Sequence, residues 1–340
     1  MSVKKLSENA LMSFVDGILA TDKVEGVQAK GDYFEFAPLK SAKDLRLDYD
    51  VTLLSPKKYL QPPVETMMTY EADGSFKSQF DEEKLVLLGV HPYDAIAIDQ
   101  MDRIFSQDNF DTHYMKRRYN TTIIACDVVT PSKNVFASSM GTAVADKGYD
   151  ILLTKIGGDY LADAATEKGQ ALLSKARDAV DATDADIKAR QQVWDKNKEA
   201  LNNHKLNCKP SELSALLEKS YDHPIWQENA EICFSCGSCN QVCPTCYCFN
   251  VSDSINWDME TGTRDRAWDS CMLDGFSKVA GDHEFRTKRA DRLRHRFYRK
   301  GKYVAAKLDG EVACVGCGRC VAACLPDIAN PVNVYNKLLG

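Results

Sequence analysis

Cys233, Cys236, Cys239 and Cys243 are spaced C-x2-C-x2-C-x3-C, and Pro244 follows directly. Cys314, Cys317, Cys320 and Cys324 repeat that spacing, with Pro326 one residue further on than in the first run. Thiolates at these intervals converge on a [4Fe–4S] cubane, and where two such runs occur each gives three thiolates to one cluster and its fourth to the other. With that crossover, Cys233, Cys236, Cys239 and Cys324 hold one cluster, and Cys314, Cys317, Cys320 and Cys243 hold the second. The chemistry is electron transfer, and the interchange makes the two centres near neighbours. Zinc is the competing metal, but its sites usually set two C-x2-C pairs across a longer loop, a pattern that a triplet followed by x3-C-P fits poorly.

A cubane needs the chain wrapped closely around it. Gly237 in the first run, and Gly316 and Gly318 in the second, permit that path and the positive φ it demands. The fourth cysteine of each run is expected at the start of a helix, where the proline that follows suits the first turn.

Three further cysteines lie close by in the chain or in similar surroundings: Cys246, Cys248 and Cys271. Buried thiols packing beside the clusters are one outcome. A third metal site or a set of substitute ligands is the other, since grouped thiols near a helix N-terminus form an electropositive thiolate pocket. Cys126 and Cys208 stand alone and are read as structural.

Two hundred residues precede these motifs and must position them. Leu85–Val90 is a nearly continuous apolar run of buried-strand type, and an amphipathic helix follows His91-Pro92. Thr121–Cys126 and Ile151–Leu153 are further strand candidates, and strand, helix, strand in this order argues for a partly parallel layered domain. From Asp159 to Lys205 the composition turns to Ala, Lys, Asp, Glu and Gln, which predicts two exposed helices, with another at Ser211–Ser220. Asp269–Ala280 and Thr287–Lys300 are expected to be helical. The fold class is therefore an α+β or α/β N-terminal domain followed by an α-helical dicluster ferredoxin domain. The parts are a scaffold and docking domain over 1–158, a helical linker or hairpin over 159–222, and the cluster domain over 223–340 with a long insert, 249–313.

The 340 residues carry a formal charge of −6, so nucleic acid is not the expected partner. No apolar signal-peptide core lies near Met1 and no run approaches a membrane span, which points to the cytoplasm. Thirteen cysteines in such a chain point to metal rather than disulfides. A basic stretch, Arg286 to Arg296, is either a solvated helix, a docking patch, or a counter-charge to anionic clusters. There is no G-x-G-x-x-G after a strand, no P-loop and no nucleophile elbow, so no flavin or nicotinamide site of standard type is expected.

Taken in order, the motifs resemble a known family. Cys233-x2-Cys236-Gly237-Ser238-Cys239-x3-Cys243-Pro244-Thr245-Cys246-Tyr247-Cys248, Trp268-Asp269-Ser270-Cys271-Met272, Arg289-Ala290-Asp291-Arg292 and Cys314-Val315-Gly316-Cys317-Gly318-Arg319-Cys320 are similar to landmarks of the 4Fe–4S dicluster subunits. That family includes the beta subunit of cytoplasmic sulfhydrogenases and an iron–sulfur subunit of anaerobic sulfite reductase. In the N-terminal half, Ser55-Pro56-Lys57-Lys58-Tyr59-Leu60 with Pro62 and Pro63, Gly89-Val90-His91-Pro92-Tyr93-Asp94 and Ser138-Ser139-Met140-Gly141 agree. The resemblance implies an anaerobic electron-transfer subunit in a hetero-oligomeric complex. Its partners would be a flavoprotein that oxidises NAD(P)H and a catalytic subunit, which is a hydrogenase, a sulfite reductase or a heterodisulfide-reductase-like protein. The alternative is a catalytic subunit that reduces a small substrate at a third metal site near Cys246, Cys248 and Cys271. Two departures stand out: Thr130–Ala137 lacks the cysteines that relatives often carry there, and Leu325 separates Cys324 from Pro326.

Overall fold

The apolar runs of the N-terminal half form the centre of an eight-stranded sheet. The computed structural model describes residues 3–340. Its strands in chain order are β1 (Lys4–Ser7), β2 (Lys23–Lys30), β3 (Tyr33–Pro38), β4 (Val64–Tyr70), β5 (Phe76–Ser78) and β6 (Leu85–Val90). They continue with β7 (Thr121–Cys126), β8 (Ile151–Ile156), β9 (Asp159–Ala164), β10 (Val180–Asp181), β11 (Phe249–Ile255) and β12 (Gly262–Trp268). The large sheet has the order β10-β1-β9-β8-β7-β6-β2-β3. Its central strands β2, β6, β7 and β8 are parallel, and antiparallel strands extend both edges. β6 and β7 are covered on both faces, which is why their sequences are apolar almost throughout rather than alternating.

Helix Glu8–Leu19 covers one face with Leu11, Phe14, Val15 and Ile18, one stripe of a 3.6-residue period. Ser7 caps it by accepting from the Ala10 amide. Each such side chain taken fully out of water contributes about 2 kcal/mol. Helix Pro92–Ser106 leaves the carboxyl end of β6 with proline in its first turn, where the missing N–H costs nothing.

A second, antiparallel sheet has the order β11-β12-β4-β5. It joins a hairpin from the first eighty residues to one from the insert between the cysteine runs. Buried Arg266 of β12 pairs with Glu65 of β4, and Glu65 also pairs with Arg117. The insert is thereby bonded to the N-terminal half instead of folding only over the clusters.

Several local expectations fail for identifiable reasons. Asp159–Ala164 is strand β9, not helix: Gly157-Gly158 makes a two-residue hairpin, with Gly157 at φ +59°, that returns the chain along β8. The large sheet thus runs to Asp181, and only Glu167–Leu173 and Asp184–Ala200 are helical in that stretch. Asp269–Ala280 is mostly a series of turns tied to the end of the β11–β12 hairpin, starting with the Asp269 amide on the Cys248 carbonyl at 3.0 Å. No helix starts at the fourth cysteine of either run. After Cys243 the chain turns and becomes extended towards β11; four-residue helices instead carry the third cysteines, Ser238–Gln241 and Arg319–Ala322.

Candidate iron–sulfur site

The second cysteine run is built into the N-terminal half. Gly316 and Gly318 have φ of +65° and +78°. A β-carbon on Gly318 would lie 2.3 Å from the Asn134 carbonyl oxygen, and one on Gly316 would lie 2.6 Å from the Phe136 carbonyl carbon. The cysteine-free loop Thr130–Ala137 therefore lies directly against this run. Its Phe136 amide donates to the Gly316 carbonyl at 2.8 Å, and Thr142 Oγ1 donates to the Val315 carbonyl at 2.7 Å. Val315 and Cys317 belong to the same buried core as the strands of the large sheet.

Cys314, Cys317 and Cys320 line a cavity of about 30 Å³, and Cys243 of the first run lines it with them. In the other direction, burial raises the Cys239 thiol, and Cys324 of the second run adds to that together with Cys233 and Cys243. The two runs are thus interlocked. Gly237 and Ser235 turn the first run with φ of +75° and +52°. Arg289 donates to the Cys233 carbonyl at 2.7 Å, and Arg292 donates to the Thr287 carbonyl at 2.7 Å and to Ser235 Oγ at 3.3 Å. Cys236 is exposed, whereas Cys233, Cys317 and Cys320 are buried.

Thiols in such surroundings resist ionisation. Burial pushes Cys317 up to about 12, against the pull of Arg319, and pushes Cys320 up against Arg296. Fixed cations oppose that cost. Arg296, 5% exposed, has Cys239, Cys320, Cys246 and Cys243 as its charged neighbours. Its Nε donates to Asn240 Oδ1 at 3.2 Å. Lys300 is held charged by Cys243, Cys246 and Cys314, and donates to Thr245 Oγ1 at 2.7 Å. Cys243 falls well below the ordinary thiol range, chiefly through its hydrogen bond with Cys246. Buried thiols facing fixed positive charge suit an anionic iron–sulfur centre whose assembly releases the thiol protons. Among the described residues no three His, Cys, Asp or Glu side chains converge tightly enough for a single metal ion. Four thiols spread around one cavity fit a four-iron core better than one zinc.

Cys246, Cys248 and Cys271 also come together, lining a neighbouring small cavity with Arg296, Arg299 and Lys300. Pairing with Cys271 holds Cys248 down to about 6 and raises Cys271. Cys126 is buried at the end of β7, and Cys208 is half-buried away from these cavities. The basic stretch is packed, not solvated: Arg292 and Arg296 are buried, and Arg294 lies over the Tyr221 ring.

Sequence reading named the residues that reach these loops from the N-terminal half, Lys57 and Asp94, only within motifs that resemble the family's, and gave neither a role. Lys57, 5% exposed, donates from Nζ to the Cys246 carbonyl at 2.8 Å; burial lowers it to about 8. Asp94 accepts from both Nη atoms of Arg319. A further signal was local: an arginine between two cysteines of a cluster run has to go somewhere, and an acid in the first turn of the helix after a buried strand is a candidate for it.

The interlocked runs and their buried cations define an iron–sulfur protein of the electron-transfer class. Residues 232–328 match a family model described as a 4Fe-4S dicluster domain. Over 327 residues the chain is 31% identical to sulfhydrogenase 2 subunit beta of Pyrococcus furiosus, covering 95% of each chain. The chain belongs to that 4Fe–4S electron-transfer subunit family. Among the described residues no helix is long and apolar enough to cross a membrane.

Proposed function

We propose that this chain relays single electrons through two [4Fe–4S] clusters within a hetero-oligomeric, hydrogenase-type oxidoreductase complex. Cys233, Cys236, Cys239 and Cys324 hold one cluster; Cys314, Cys317, Cys320 and Cys243 hold the other. The observation that carries the assignment is that Cys243 lines one cavity with Cys314, Cys317 and Cys320, a residue of the first run among three of the second.

When bound, each cubane supplies a one-electron couple; the chain supplies position, charge and insulation. Arg296 faces thiols of both runs and favours the electron-loaded state of either centre. The loop Thr130–Ala137 and the end of β6 keep water from the second centre. The first is reached from outside through exposed Cys236, flanked by exposed Ile232, Phe234 and Leu325. That apolar rim suits docking of a redox partner. The partners proposed are an NAD(P)H-oxidising flavoprotein and a separate catalytic subunit. The relative's name supports a hydrogenase over a sulfite reductase or a heterodisulfide-reductase-like protein. The α/β half serves as the scaffold.

Iron and acid-labile sulfide analysis with reduced-state EPR tests this on anaerobically purified protein. About eight irons per chain and spin coupling between two reduced cubanes are expected. Cys243→Ser should alter the same EPR component as Cys317→Ser, and Cys324→Ser the same as Cys239→Ser. If Cys243→Ser instead pairs with Cys239→Ser, the ligand assignment is wrong.

A further inference from the structure

Among the described residues, every sheet edge but one is closed. In the large sheet β10 is two residues long. The other edge, β3, is covered by the chain that follows it. The Leu53 amide donates to the Phe34 carbonyl at 2.9 Å, and Lys58 Nζ and the Tyr59 hydroxyl donate to the Phe36 carbonyl at 2.7 and 3.0 Å. In the small sheet β5 is three residues long and carries Lys77. Short strands, covering segments and edge lysines are the usual devices against association at a strand edge.

β11 has none of them. It runs seven residues, Phe249 to Ile255, all exposed, with no proline, no lysine and no bulge in its pairing with β12. Which backbone groups face outward follows from the two ends of that pairing. The Asn256 amide donates to the Thr261 carbonyl at 2.9 Å, and the Asp269 amide to the Cys248 carbonyl at 3.0 Å. Antiparallel ladders alternate, so Asn250, Ser252 and Ser254 turn their amides and carbonyls to β12. Those of Phe249, Val251, Asp253 and Ile255 point to the open edge.

That edge is its own complement. A two-fold axis through Ser252 lays the whole strand against a second copy and keeps outward groups opposite outward groups. Phe249 then meets Ile255 of the second copy, and Val251 meets Asp253, in four pairs that exchange about eight backbone hydrogen bonds. Asp253 brings no free charge to the seam, because Arg264 Nε and Nη2 hold its two carboxylate oxygens at 2.7 Å each. On the other face Asn250 lies opposite Ser254, and Ser252 opposite itself, so polar meets polar. Apolar and polar cross-strand pairs of this kind stabilise a sheet. Just past Ile255, Trp257 is fully exposed on a loop that is not loose: Asp258 Oδ1 accepts from the Glu260 and Thr261 amides at 2.9 and 2.8 Å. In the two-fold arrangement Trp257 sits beyond Phe249 of the second copy and gains an apolar neighbour.

We propose that β11 is a dimerisation edge, at which two copies of this chain join their small sheets, four strands from each, into one continuous antiparallel sheet. An unrelated strand would have to supply the matching pattern, whereas a second copy already carries it, and closed two-fold pairs are the commonest assembly of like chains. The pairing is independent of the relay reading.

Sedimentation velocity of the anaerobically purified, cluster-loaded chain tests it, over a concentration series reaching about 100 µM. The wild type should pass from the mass of one chain to that of two. Val251→Pro removes an amide that faces the open edge and leaves the ladder to β12 whole. Val251→Lys keeps the amide and adds an edge charge, so it serves even if proline disturbs the hairpin. Each should raise the dimer dissociation constant by about tenfold or more, with iron per chain unchanged. A photoreactive p-benzoylphenylalanine in place of Phe249 should join two chains, with Ile255 as the acceptor. A one-chain mass at every concentration overturns the proposal. So does a dimer that both Val251 variants leave intact, or a crosslink from position 249 that lands outside β11.

Discussion

Arg319 and Asp94 form a buried two-toothed ion pair between the second cysteine run and the first turn of the helix that follows β6, each Nη atom 2.7 Å from one carboxylate oxygen. Asp94 is fully buried and Arg319 is 3% exposed. Two further guanidinium donors are also used: Nε donates to the Thr52 carbonyl and Nη2 to Thr52 Oγ1, both at 2.9 Å. Parallel sheets commonly place their ligands outside the carboxyl ends of their strands, and here that end holds a loop of the cluster domain.

Removing one partner strands a charge in the interior, whereas removing both does not. Arg319→Met and Asp94→Asn should each lower stability by roughly 3–5 kcal/mol, and Asp94→Leu/Arg319→Met by less than either. Anaerobic denaturant unfolding reads the loss, and iron analysis should show both single variants depleted of one cluster's worth of metal. Full iron with near-wild-type stability would mean that the pair does not hold the loop.

Arg296 is a buried cation that faces thiols of both runs. An added electron is stabilised by nearby positive charge, so Arg296→Met should make both clusters harder to reduce. EPR-monitored redox titration is expected to show both midpoint potentials moved to more negative values at unchanged iron content. A shift of one cluster alone would confine Arg296 to that centre.

Gly318→Ala combines a left-handed backbone, φ +78°, with a contact of 2.3 Å to Asn134 that backbone cannot yield. The strain alone is on the order of 1–3 kcal/mol, and relief requires the loop Thr130–Ala137 to part from the second run. Gly74→Ala, at φ +81° with open space around it, is the control. Both variants should lower the unfolding midpoint, but only Gly318→Ala should lower iron per chain.

Asp127 supplies a pH dependence remote from the cysteine runs. Burial raises its carboxyl to about 6, against hydrogen bonds from Thr154 Oγ1 at 2.6 Å and Trp194 Nε1 at 2.8 Å. The folded chain therefore holds this proton more tightly than the unfolded chain, whose value is 3.8. Its contribution to stability is full below the unfolded value and is lost as pH rises to about 6, a change of about 3 kcal/mol in all. Asp127→Asn should lack that slope, so the variant gains on wild type by about 1–2 kcal/mol from about pH 5 to 7 in paired unfolding curves. Parallel curves would show that the carboxyl titrates normally.

By itself the sequence determined the features that short-range geometry controls. The cysteine intervals and their glycines act within a dozen residues, and the observed φ of Gly237, Gly316 and Gly318 follows from the tight turns those intervals require. The apolar runs of β6, β7 and β8 were legible because strands covered on both faces need no polar alternation. The α/β character of the N-terminal half was legible on the same ground. Tertiary structure alone decided what lies far apart in the chain. Asp94 and Arg319 are 225 positions apart, and Lys57 and Cys246 are 189 apart. No local pattern encodes such a pairing, because it depends on which surfaces meet once the sheet has formed. The same holds for β4 joining β12, and for β9, whose mixed composition resembled a helix until β8 offered an edge. Cys248 and Cys271 line one cavity, beside Arg296, Arg299 and Lys300, because that hairpin closes against the first run.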